Sequence, residues 1–437
     1  MSYLKVLRIF HILVFAFLIF PLVLVAQELN PGVIIDKSNF ASFSDATFEG
    51  VPIKDMIPEK IQWLIENQNL RIKLAASTPM PKVSRTWELA KKYDNINTVS
   101  LNKNGHMIGW TAGMPFPKID FTAPDAASKL MWNFYVGGDA SSFDFLNLEK
   151  FAFVFIDGKS GIERQQIWAL QYYKMWGRAW SGEPILGDSK LLNRKLLFAT
   201  YPDDVRGVGT FVNEYVDERP DEAWAYIRSF RRIRRISGNS WSEPIPGTDL
   251  LQEDDIGFQT KPSNYKSWKL LETKKVLLPV HPDMSLWTWV PEAGAVKTQY
   301  PAMDLSAAPY WHPNPDFVVW QPRDTYVIEG TPPSYHPYGR RIIYMDAATH
   351  TIPMGEIYDK KGDYWKGSMH PVMVYSDPDT GVSLAFPALG VVADYKRMHA
   401  TNYVTGKPVN KMMNTPGING DDINVEVLRK GEPVQPR

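Results

Sequence analysis

The chain of 437 residues balances 48 Lys and Arg against 48 Asp and Glu, has no cysteine, and carries 15 Trp, 20 Tyr and 21 Phe. Balanced charge gives no general positive field for a polyphosphate, which argues against a nucleic-acid binder and makes any anion site a local one. Absence of cysteine removes disulfides, thiol nucleophiles, iron–sulfur clusters and thiolate zinc sites, while the length allows a sizeable core in one large β domain or two to three smaller ones.

Lys5 and Arg8 precede an apolar run from Ile9 to Ala26, broken by His11 and Pro21. A basic start followed by an apolar stretch predicts a signal peptide over residues 1–26, cleaved ahead of Gln27. A retained anchor is the alternative, because about 18 apolar residues approach the length that crosses a bilayer. No cysteine stands at the cleavage point to accept a lipid, so the expected product is exported, unlipidated and soluble.

Helix-like pieces come next. Pro58 opens a segment with Ile61, Leu64 and Ile65 on one face, Thr86 to Tyr93 is a second short candidate, and Ala127, Leu130, Met131 and Phe134 recur at helical spacing in a third. Beyond residue 135 the texture changes to aromatic and β-branched runs between turn signals. From Gln166 to Trp176, Trp168, Leu170, Tyr172 and Trp176 alternate with Ile167, Ala169, Tyr173 and Met175, interrupted by Lys174. Both faces are apolar, which predicts a strand buried on both sides. Gly207-Val-Gly209 leads into a strand at Thr210 and not into a helix, so it lacks the helix N-terminus that a dinucleotide site requires.

The region from Pro220 to Ile236 places Trp224 and Tyr226 on a strand, followed by Arg231, Arg232, Arg234 and Arg235. Such guanidinium groups hold carboxylate or phosphate heads by paired hydrogen bonds. The plainer reading is that they pair with Glu214, Asp217 or Asp221 while their stems lie along the sheet. Glu253-Asp254-Asp255 reads as solvated loop carboxylates, since neighbours in sequence do not converge for metal or proton chemistry. The eight histidines show no zinc spacing, no Gly-x-Ser-x-Gly occurs, and no catalytic set, metal site or cofactor site is nominated.

Arg341 to Trp365 is a meander whose polar breaks, Asp346-Ala-Ala-Thr and Asp359-Lys-Lys-Gly, have hairpin length. Strands joined so closely are antiparallel, because parallel neighbours need crossovers of a dozen or more residues. Pro279 to Pro282, Pro301 to Pro315 and Pro332 to Pro337 read as ordered loops. Residues 27–400 are expected to form a single domain and 401–437 a loosely packed C-terminal extension.

Gly109-Trp-Thr-Ala-Gly-Met-Pro-Phe-Pro, Ala126-Ala127, Trp132-Asn133, Asp221 to Arg235, Asp254-Asp255-x-Gly-Phe258, Tyr326-Val-Ile-Glu and Tyr338 to Asp346 form a colinear set. Together they resemble the family called domain of unknown function 1329, which is similar to outer-membrane lipoprotein-sorting proteins of the Gram-negative periplasm. That resemblance implies a mainly β fold with some α: a strongly curved antiparallel half-barrel closed by short N-terminal helices, with an apolar cavity between. It implies periplasmic localisation and no catalytic residue, and it brings in a resistance-nodulation-division type envelope transporter as a partner that no residue here indicates.

Residues and resemblance point the same way, to a non-enzymatic periplasmic carrier or chaperone for a lipid, a lipidated or another hydrophobic molecule. The cavity candidates are Trp110, Phe116, Trp168, Tyr172, Trp224 and Tyr226, with Arg232 and Arg234 for an anionic head. An outer-membrane assembly or scaffold protein without a small ligand is the first alternative, and an exported hydrolase the second.

Overall fold

The computed structural model describes residues 27–281 and 303–437, apart from 82, 139–140, 188, 238–239, 378, 380, 388 and 406–410. The signal-peptide reading of residues 1–26 lies outside the described residues. Fifteen strands form one curved sheet that does not close. In chain order they are β1 (Phe145–Asp157), β2 (Gly161–Lys174), β3 (Leu191–Tyr201), β4 (Gly209–Tyr215), β5 (Glu222–Ile227), β6 (Arg232–Ile236), β7 (Ser267–His281), β8 (Val319–Thr331), β9 (Arg340–Asp346), β10 (Met354–Tyr358), β11 (Tyr364–Met369), β12 (Val372–Ser376), β13 (Ser383–Pro387), β14 (Leu389–Asp394) and β15 (His399–Thr405).

Their order across the sheet is β6, β5, β4, β3, β2, β1, β15, β14, β11, β10, β9, β8, β7, β12, β13. Two meanders, β1 to β6 and β7 to β11, are thus stitched together at the centre by the returning hairpin β14–β15. The expected curved antiparallel sheet is the fold, with one departure: β7 and β12 pair in parallel, Val280 beside Val372 and His281 beside Met373. The strand β7 also absorbs Pro279, which the proline pattern placed in a loop.

Alternation sends opposite residues of each strand into different cores. In β1, Phe151, Phe153 and Phe155 join one cluster while Ala152, Val154 and Ile156 join another. Helix α1 (Glu59–Gln68) opens after Pro58 and ends at Asn69, whose left-handed φ of 55° turns the following Leu70 N–H back to the Leu64 carbonyl. Its Ile61, Leu64 and Ile65 pack in the same cluster as Tyr344 of β9. Helix α2 (Ser84–Lys92) follows, and then α3 (Ala126–Trp132), whose Ala127, Leu130 and Met131 pack with Ile343 and Met345 of β9. Successive residues of β9 face opposite ways, so α1 and α3 cover opposite faces. The N-terminal helices that close the half-barrel are thus divided between its two faces, because the sheet is apolar on both sides and each side needs a cover.

The chain after 400 is no loose extension. Residues 399–405 are the central strand β15, paired with Asp157 to Phe151 of β1. Met412 and Met413 are buried, and Ile423, Val427 and Leu428 pack against Ala169, Phe198 and Phe211 on the α1 face. Helix α4 (Glu426–Lys430) ends at Gly431, φ 66°. The tail covers the apolar surface that α1 leaves open, which the polar Asn-Gly-Asp-Asp run concealed.

At the central hairpin, Gly390 pairs with Tyr403, and a Cβ on Gly390 would lie 1.9 Å from the tyrosine ring. We expect Gly390→Ala to push that ring aside and destabilise the fold by about 1–3 kcal/mol, the usual cost of overpacking. Urea denaturation checks it: an unchanged midpoint would show that the ring has room to move.

Candidate functional site

A cavity lies on the α3 face over the middle of the sheet. It measures about 920 Å3 to its walls, solvent at its edge included. Its floor is Leu146, Leu148 and Phe151 of β1, Leu170 and Tyr172 of β2, and Tyr403 and Thr405 of β15, with Phe386 of β13 at one side. Phe134 and Tyr135 come from a π-helical turn, Asn133–Gly137, that continues α3. Asn133 fixes this turn, accepting from the Phe116 N–H and donating to the Phe116 carbonyl, both at 2.9 Å. Residues 256–259 and Thr351–Ile352 complete the wall.

The 256–259 loop is held to the sheet by buried charge. Arg341 is fully buried, with a guanidinium nitrogen 2.8 Å from an Asp254 carboxylate oxygen and 3.2 Å from one of Asp255. Tyr265 donates to Asp254 at 2.8 Å and Tyr338 to Asp255 at 2.6 Å. Burial raises the Asp254 carboxyl, but the Arg341 cation beside it overcomes this and, with His336, holds it well below the usual range. The same guanidinium lies 4.0 Å from the ring centroid of Phe258, a lining residue at the unusual φ of 57°. Reading 253–255 as solvated is therefore corrected: the opposing charge comes from a strand some ninety residues onward in sequence, where no local spacing reveals it.

A second buried group stands behind Tyr135 and Tyr172. Lys195 of β3 is 2.6 Å from Glu214 of β4, which also accepts from Tyr135 and from Asn193, each at 2.7 Å. Burial lowers the Lys195 ammonium, and the Glu214 and Glu253 carboxylates more than reverse that, leaving it raised. Burial pushes Glu253 up to about 8. These groups brace the wall; among them Tyr135 and Tyr172 reach the cavity itself.

Of the residues nominated from sequence, Tyr172 lines the cavity. Trp168 stands behind the wall, its indole 4.9 Å from the Phe153 ring, which in turn meets Phe151 at 5.2 Å. Trp110 and Phe116 are buried in a cluster with Tyr135 and Val136, behind the π-helical turn. Trp224 and Tyr226 lie across the sheet among the α4 side chains. Arg232 and Arg234 are exposed on β6, the end strand, four strands from β2. An exposed edge rich in Arg discourages edge-to-edge association, which accounts for the cluster without a ligand.

The proposed carboxylate partners are also otherwise engaged: Glu214 with Lys195, Asp217 with Arg219, Asp221 with Lys261, while Arg235 pairs with Glu222. Strand alternation told which residues share a face. It did not tell which of them stop short of touching an opposite wall, so Phe143, Leu146, Phe151 and Tyr403 went unnamed.

Among the described residues that line the cavity, Lys174 is the one that carries a charge. It is 3% exposed, donates to the Ser141 carbonyl, and sits 5.2 Å from the Phe143 ring centroid. Burial lowers its pKa to about 8, with Asp144 opposing and Arg178 adding to the shift. No group of three or more His, Asp and Glu is placed to hold a metal among the described residues, and no helix there is long and apolar enough to cross a membrane.

A family model described as "Protein of unknown function (DUF1329)" matches residues 34–427. The chain belongs to the DUF1329 family. Among solved structures, this DUF1329 chain is similar to a DUF1329 family protein from Desulfovibrio piger at 16% identity, covering 66% of this chain and 93% of that one, with a TM-score of 0.43. It is also similar to a domain described as an outer membrane lipoprotein-sorting protein from Vibrio parahaemolyticus, at 16% identity, 65% and 90% coverage and a TM-score of 0.42. A LolA superfamily protein from Nitrosomonas europaea gives 12% identity, 65% and 94% coverage and a TM-score of 0.36. No curated protein matches the DUF1329 chain. The fold rests on the strand pairing itself, not on these distant likenesses.

Proposed function

We propose that this protein is a carrier or chaperone that holds the apolar tail of a lipid or other hydrophobic molecule in the cavity on the α3 face. The observation that supports this most is the wall: aliphatic and aromatic side chains from β1, β2, β13, β15 and the π-helical turn, with one charged group and no carboxylate or histidine among the described lining residues. A mostly apolar wall with few polar groups suits the holding of an apolar tail. Each buried methylene contributes ~0.8 kcal/mol, so a tail of about ten supplies ~8 kcal/mol before ordering costs, the scale of micromolar binding. Export to the periplasm, and service to an envelope transporter, belong to the same proposal. The first is supported by the Lys5 to Ala26 pattern and family resemblance, the second by resemblance alone.

Titration with a fluorescent fatty-acid probe tests the binding claim. We expect saturable uptake of one probe per chain at roughly micromolar affinity, left within about twofold by Trp224→Ala, which lies on the other face and should not couple to the site. A folded protein that takes up no probe contradicts the proposal, as does equal loss of uptake in the Trp224 variant.

A further inference from the structure

Two lysines buried on this half of the sheet have met opposite fates. Lys195 has Glu214 at 2.6 Å and Glu253 at 3.9 Å. Lys174, the last residue of β2, forms no ion pair among the described residues, and the Ser141 carbonyl is the one acceptor of its three N–H groups there. The described carboxylate that acts on it, Asp144, is committed elsewhere. Asp144 accepts from the backbone N–H groups of Ala179, Trp180 and Ser181 at 2.6, 3.1 and 2.8 Å and from the Ser181 hydroxyl at 2.5 Å, with Arg178 3.7 Å away.

An ammonium taken out of water without a counter-charge is costly, and proteins pair such groups or neutralise them. Here the ammonium faces an apolar cavity whose other described lining residues carry no charge. We propose that Lys174 anchors the anionic head, a carboxylate or a phosphate monoester, of a single-chain amphiphile whose tail lies among Leu146, Phe151 and Leu170. This rests on the binding role proposed above and adds the ligand's charge and its orientation, head toward the Ser141 end. A carboxylate arriving there completes the pair that Asp144 does not make. The lowered pKa of the free protein is what an unpaired buried ammonium shows, and a bound anion raises it.

The test compares palmitate, hexadecyl phosphate and hexadecanol on the wild type and on Lys174→Met, whose side chain has similar length and no charge. In the wild type either anion should bind about tenfold or more tightly than the alcohol, the scale of one charge-assisted hydrogen bond, and whichever anion is tighter identifies the head. In Lys174→Met that preference should vanish while hexadecanol stays within about twofold. The preference should also fall in the wild type as pH rises through 8, where free Lys174 loses its proton. The charged groups facing it are Asp144 and Arg178. Glu253, pushed up by burial to about 8, changes charge in the same window but stands against Lys195, not Lys174. The Tyr135, Tyr172 and Tyr403 phenols are raised by burial. Because the wild-type comparison needs no variant, a misfolded Lys174→Met does not obscure the answer. Equal binding of anion and alcohol overturns the anchor while leaving the cavity's role intact. So does a preference that survives in the variant. Binding of none of the three overturns both.

Discussion

Replacing Arg341 by methionine is expected to cost the fold about 3–5 kcal/mol at neutral pH, the usual result of removing one partner from a buried ion pair. Asp254 and Asp255 would remain at 0% exposure with their cation gone, and Phe258 would lose the guanidinium stacked 4.0 Å from its ring. The sign of the pH dependence follows from Asp254. Its folded pKa is depressed, so its contribution is fully present above the unfolded value of 3.8 and is lost only as pH falls through the lower folded value. In the variant the buried carboxyl no longer has Arg341 to hold it down, and acidification relieves it. The gap between wild type and variant in urea should therefore be widest near neutrality and shrink toward pH 4. A gap below about 1 kcal/mol at pH 7 would mean that the network is neutral to stability, as some buried ion pairs are.

Leu148→Trp is expected to abolish most of the uptake of apolar probes while the protein stays folded. Leu148 is half-buried and lines the cavity at the end of the regular pairing between β1 and β2, just before the register shift. The added rings have the cavity to enter, so the cost to the fold should be no more than about 1–3 kcal/mol. If the indole displaces about four methylenes of the tail, the loss is ~3 kcal/mol, or about a hundredfold in affinity. Arg232→Ala and Arg234→Ala on the far edge strand should change binding by less than about twofold. Fluorescence titration of the three variants separates a cavity from a surface site: a loss in the arginine variants with none in Leu148→Trp places the ligand on the edge.

Much of the fold was legible where order is local. The hairpin breaks between Arg341 and Trp365 became β9, β10 and β11 with their turns in place, and Pro58 with its 3–4 spacing became α1. The stitching of β15 to β1 and of β14 to β11 was not legible, because those partners are far apart in sequence and alternation gives a strand's faces without naming its neighbour. For the same reason Asp254 and Asp255 read as solvated, their cation Arg341 lying in another part of the chain. Lys174 was visible as a charge interrupting a strand apolar on both faces. Its meaning needed the structure, since a lysine at the end of a strand usually snorkels to water and this one meets a cavity.

Whether the cavity on the α3 face holds an apolar tail is decided by native mass spectrometry with lipid extraction, on wild type and Leu148→Trp purified side by side from the cell envelope. An amphiphile bound at one per chain in the wild type and lost from the folded variant is the expected result; a ligand-free wild type, or equal occupancy in both proteins, would contradict it.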